Sequence, residues 1–161
     1  MSQFDRPPQP PPQESPEARQ VSLRHTARVR GKLYDAHKLI DAAENLPVEV
    51  VPISTFDELK GEAACWTDKE GNRLGPKQLL ELAEEYSGDF NAMLLAKPEW
   101  EQHIVSLRDA DYKTYPLLVE GDHNVIDGMH RLTRAWIDKA KEIKIKRFDK
   151  LPAEAETQDN V

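Results

Sequence analysis

The spacing of apolar residues changes twice between residues 116 and 148, and this change constrains the fold more than any other feature of the chain. An apolar run over 116–119, a polar turn containing Gly121 and Asn124, and a second short run ending at Asp127 read as two strands and their connection. From Gly128 the spacing becomes helical. Leu132, Ala135, Trp136, Lys139 and Ala140 share one side, with Trp136 as the largest anchor. EIKIKRF, residues 142–148, then alternates apolar and basic residues, as a strand with one face in the core does. Strand, turn, strand, helix, strand is the predicted local order.

Upstream, helices predominate. Residues 34–46 put Leu39, Ile40, Ala43 and Leu46 on one face, with Asp35 as an N-cap and Pro47 closing the segment. VEVVPI, 48–53, is β-branched and interrupted by Pro52, which suits an edge strand. Residues 54–66 are ambiguous, and 67–76 have the glycine and charge content of a loop. Residues 76–87 and 98–111 each start with proline at a first helical position and carry apolar residues at helical spacing. Together these segments predict a mixed α/β protein.

The 161 residues suffice for one modest core. PPQPPPQESPE fills 7–17 with almost nothing apolar, so residues 1–22 are expected to form a disordered tail. Its Pro7 to Pro10 spacing could present a polyproline helix to a protein partner, although a solvating tail is the plainer reading. AEAETQDNV, 153–161, reads as a shorter acidic flexible tail, which leaves a domain over 23–152.

A single cysteine, Cys65, excludes an internal disulfide or a multi-cysteine zinc site, and His25, His37, His103, His123 and His130 show no HExxH-type spacing. No signal-peptide pattern and no apolar run long enough to span a bilayer is present, so a cytoplasmic protein without a membrane partner is expected. The net charge of −7 argues against sequence-blind binding to a phosphate backbone. Basic clusters at 24–32 and 144–150 keep nucleic acid open as a partner, but solvated faces are the plainer reading of them.

Residues 127–131, DGMHR, carry the chemistry. A helix that begins directly after a strand has unpaired N–H groups and the positive end of its dipole at that point, which suits an anion. Gly128 lets a ligand approach the main chain, Arg131 offers a charged fork for phosphate oxygens, and His130 adds a donor. Asp127 beside a phosphate needs Mg²⁺ or a hydroxyl between them; otherwise it caps the helix.

IDGMHRLTRA, with YPLLVEGDHNV before it and EIKIKRF after it, resembles the phosphate-binding segment of the ParB/sulfiredoxin-like superfamily. The similarity runs over about 33–150 and is concentrated in 115–148. It implies a compact mixed α/β domain, with a small sheet flanked by helices, that binds ATP or CTP with Mg²⁺. Where sulfiredoxins carry their catalytic cysteine this chain has Met129, so sulfinic acid reduction is not expected. The helix-turn-helix of the partition proteins has no counterpart after residue 152. Free serine kinases of the group carry D-G-H-H-R, which Asp127, Gly128, His130 and Arg131 resemble, and a glutamate after an early strand. Glu58 is the nearest position for that glutamate, and Glu62 the alternative.

The resemblance thus implies a cofactor-binding set of Gly128, Met129, His130 and Arg131, with Asp127 and Glu58 as catalytic groups and Asp127 on the metal. Two functions fit. One is an ATP/Mg-dependent phosphotransferase or NTPase with an unidentified phosphate acceptor. The other is a non-catalytic nucleotide sensor or adaptor; a DNA-associated nuclease is a weaker third, since no acidic metal cluster is evident.

Overall fold

The computed structural model describes residues 26–29 and 32–157, so the segment 1–22 and the end of the chain from 158 lie outside the described residues. Its centre is a four-stranded mixed sheet in the order β3 (Val48–Pro52), β8 (Glu142–Phe148), β6 (Leu117–Glu120) and β7 (Asn124–Asp127). β6 runs parallel to β8 with Leu117 opposite Ile145; the other pairs are antiparallel. The hairpin between β6 and β7 turns at Gly121, whose φ of +66° is one that glycine adopts without strain. The order of elements predicted for 116–148 is the order observed.

Two-residue alternation sends side chains to both faces of this sheet. Leu117, Val119, Ile143 and Ile145 point to one face and pack on Leu132, Ala135 and Trp136 of the helix Met129–Ile137. Ile53 and Phe56, from a 3₁₀ helix at Ile53–Gly61, complete that cluster. Leu118, Ile126 and Phe148 meet a second layer on the other face. That layer is β1 (Thr26–Val29), β2 (Lys32–Asp35) and β9 (Glu156–Thr157), together with α1 (Ala36–Ala42). The chain beyond the expected boundary at residue 152 therefore takes part in the fold. Ala155 is fully buried in this cluster and β9 pairs with β2, so the segment expected to be flexible from 153 is built into the sheet as far as Thr157.

Helices α2 (Pro76–Glu85), α3 (Phe90–Ala96), α4 (Glu101–Asp109) and α5 (Met129–Ile137) enclose a third cluster around Trp66, Leu79, Met93, Ile104 and Leu107. Asp35 caps α1 as expected, its Oδ1 accepting the Lys38 N–H at 3.1 Å, but α1 ends at Ala42, well before Pro47. The expected helix 98–111 is divided into a 3₁₀ turn, Pro98–Trp100, and α4. The loop assigned to 67–76 contains the turn of a small hairpin, β4 (Trp66–Thr67) with β5 (Arg73–Leu74). There Asp68 Oδ1 accepts from the N–H groups of Glu70 and Asn72.

Candidate functional site

β7 hands the chain to α5 at Gly128, which sits at φ +109° and ψ 21°. Two constraints require glycine there. The left-handed backbone disfavours a side chain, and a Cβ would lie 2.7 Å from Leu117 Cδ2 and 3.1 Å from Arg131 Nη2. Gly128 has no side chain with which to cap the helix. Its carbonyl accepts the Leu132 N–H at 2.9 Å and so closes the first turn.

Arg131, read from the sequence as a fork for phosphate, is buried at 4% exposure. Its Nη2 donates to Asp127 Oδ2 at 2.8 Å, and its Nη1 donates to the carbonyls of Tyr115 at 3.1 Å and Pro116 at 2.8 Å. The guanidinium therefore ties the start of β6 to the β7–α5 junction. Asp127 balances a buried charge. Between this pair and α1 lies a crevice lined by Ile40, Ala43, Leu118, Asp127, Arg131 and Lys146. Its volume is about 20 Å³, room for roughly one water.

His130 points elsewhere. Its ring stacks on Trp66 with centroids 4.2 Å apart and planes at 8°, and its Nε2 lies 3.0 Å from His103 Nδ1. His103 Nε2 is 2.6 Å from the Thr67 carbonyl, which can only accept, so that nitrogen carries a proton. With both rings neutral, His130 Nε2–H then donates to His103 Nδ1. Burial holds His103 below the usual imidazole range, opposed by the Thr67 carbonyl and the charge of Asp68. The expectation that His130 faces an incoming ligand is thus corrected: its ring lies in the α4–β4–α5 core. Met129 is half-buried and packs against two clusters, while its carbonyl accepts from Thr133 Oγ1 at 2.6 Å.

Glu58 is exposed on the 3₁₀ helix Ile53–Gly61 and does not line the crevice at Asp127. That helix packs on the α5 face of the sheet, whereas Ala43 and Leu118 of the crevice belong to the opposite face. The structure thus brings Asp127, Gly128 and Arg131 together and leaves Glu58 apart. Lys146 at the crevice, and His103 and Trp66 around the His130 ring, were not assigned to the site from the sequence. Alternation in EIKIKRF marked Lys146 as polar-facing, but only the folded sheet brings that face to Asp127. Among the described residues, no group of three or more His, Cys, Asp or Glu side chains is arranged to hold a metal ion, and no helix is long and apolar enough to cross a membrane.

No protein-family model, curated protein or solved structure matches this chain. The functional reading therefore rests on the residues themselves.

Proposed function

We propose that this protein is a nucleotide-binding module of the ParB/sulfiredoxin-like kind, acting as a sensor through the junction of β7 and α5. The observation that carries the proposal is the crevice at the junction of β7 and α5, which is lined by two cations, Arg131 and Lys146, together with Asp127. A guanidinium and an ammonium form a donor set suited to phosphate oxygens, at the end of a helix whose dipole favours an anion. With room for about one water, the crevice is closed in this structure, and Asp127 occupies Arg131.

Binding of the terminal phosphates of ATP or CTP displaces the Asp127 carboxylate from Arg131 and moves Ile40 of α1 and Ala43 at its end away from the crevice. Exchange of one anion for another on a buried arginine gives two discrete states, as a switch requires. One observation favours a second, catalytic reading: the same crevice presents a carboxylate and two cations, enough to orient an acceptor hydroxyl beside a phosphoryl group. In that case Asp127, not the distant Glu58, is the base. The Pro7–Pro10 segment is a candidate contact for the sensor's protein partner.

A thermal-shift comparison of ATP, ADP, CTP and GTP with Mg²⁺ tests this reading. At a hundredfold excess over Kd a ligand adds about 2.7 kcal/mol, or roughly 5–10 °C for a domain of this size. Asp127→Asn, which removes the competing charge and keeps a hydrogen-bond acceptor, should strengthen the shift, and Lys146→Gln should weaken it. If no nucleotide raises the melting temperature of either the wild-type chain or Asp127→Asn, the reading fails.

A further inference from the structure

Where β8 begins, the central sheet is incomplete. β8 pairs with β3 from Glu142 onward, but its pairing with β6 starts only at Ile145. Among the described residues, the β6-side edge of Glu142–Lys144 therefore has no strand neighbour. A recess of about 490 Å³ occupies this gap, within the range of about 300–1,000 Å³ typical of small-molecule sites. Lys113 before β6, Lys141 before β8 and Lys144 within β8 surround it, with Glu142 as the lining carboxylate. Val50, 55% exposed although it lies in a β-strand, and Ile143 supply an apolar lining.

We propose that this recess binds a small organic anion with an apolar or aromatic body. Three ammonium groups from separate positions, set against one carboxylate, make a local cationic patch on a chain whose net charge is −7. Ammonium groups on flexible stems hold an anion as point charges and do not dictate its shape. The apolar lining distinguishes an organic anion from a simple inorganic one, because removing apolar surface from water rewards only a ligand that carries some. The edge of β8 that lacks a β6 neighbour borders the recess. This inference does not rest on the nucleotide reading: Lys146 lines the Asp127 crevice and not this recess.

The probe is 8-anilinonaphthalene-1-sulfonate, titrated against the native full chain by fluorescence, with ¹H–¹⁵N spectra locating the bound dye. Saturable binding is expected, with amide shifts centred on Lys113 and 141–144. The triple variant Lys113→Gln, Lys141→Gln, Lys144→Gln should bind about tenfold more weakly, as loss of three solvent-screened charge contacts implies. Citrate should displace the dye, and Lys146→Gln should bind it like wild type. Those lysines are exposed, and unchanged circular dichroism would show that the variant folds. No saturable binding, equal binding by the triple variant, or shifts centred on Gly128 would each overturn the proposal, and the last would assign the dye to the crevice instead.

Discussion

Arg131 is the residue on which the junction turns, because its charge is buried and matched by one carboxylate and two carbonyls. Arg131→Ala leaves Asp127 without its cation and two carbonyls without that donor, so it should destabilise the chain by about 3–5 kcal/mol in urea unfolding. A loss below about 1 kcal/mol, the range of surface substitutions, would contradict the burial described here. The sequence already held a sign of this burial. Arg131 lies four residues before Ala135, on the apolar side of α5, but an arginine in a first turn reads as solvent-facing because most arginines are. At two other positions the backbone itself carries a cost: Ser87 and Lys139 follow the ends of α2 and α5 at φ +53° and +58°. The N–H groups of Gly88 and Ala140 close these helix ends on the carbonyls of Ala83 and Ala135. Glycine is the usual residue in that left-handed place, so Ser87→Gly and Lys139→Gly should each stabilise by about 0.5–1 kcal/mol. Melting curves of the two variants check this, and a fall in melting temperature in both would contradict it.

The stack of Trp66, His130 and His103 joins three elements: the β4–β5 hairpin, α5 and α4. An unfolded His103 takes up its proton near pH 6.5, whereas the folded one does so only at lower pH because burial disfavours the charged form. Between those values the unfolded chain binds more protons. This contribution to stability is therefore fully present above about pH 6.5 and is lost as pH falls through the folded value. Melting temperatures measured from pH 7.5 down to 5 should fall, and His103→Phe should flatten that part of the decline. An identical slope in the variant would contradict the assignment. None of this was visible in the sequence, since Trp66, His103 and His130 are far apart along the chain and only tertiary packing brings them face to face. α3 was missed for a different reason. Its seven residues are too few to establish a period, and its signal lies in the Asp89 cap, whose Oδ1 accepts the Ala92 N–H at 3.1 Å. α2 and the alternating start of β8 were legible because each buries a single continuous face, whereas α5 buries His130, Arg131 and Thr133 besides its Leu132, Ala135 and Trp136 face.

At the scale of the whole molecule, two layers pack on opposite faces of one sheet, and a segment near the end of the chain helps to hold one of them. β9 adds to β2, and Ala155 is wholly buried beside Leu151 and Phe148. Ending the chain at Pro152 should cost about 1–3 kcal/mol through lost strand hydrogen bonds and apolar burial, measured by urea unfolding. An unchanged midpoint would show β9 to be dispensable. The polar composition of AEAETQDNV gave no sign of this role, because the partner edge is supplied by residues more than a hundred positions earlier. The sheet also sets the crevice: β6 positions the carbonyl end that Arg131 binds, β7 delivers Asp127, β8 delivers Lys146, and α1 covers them. Because all four elements meet there, a ligand that separates Asp127 from Arg131 must change the environment of the junction itself. The most direct measurement is the ¹H–¹⁵N spectrum of the full chain, including arginine side-chain N–H groups, titrated with Mg-ATP and Mg-CTP. Saturable, concerted shifts of the Gly128, Met129 and His130 amides and of the Arg131 side chain are expected with one of them. Saturating concentrations of both that leave those resonances unmoved would contradict nucleotide binding at the junction.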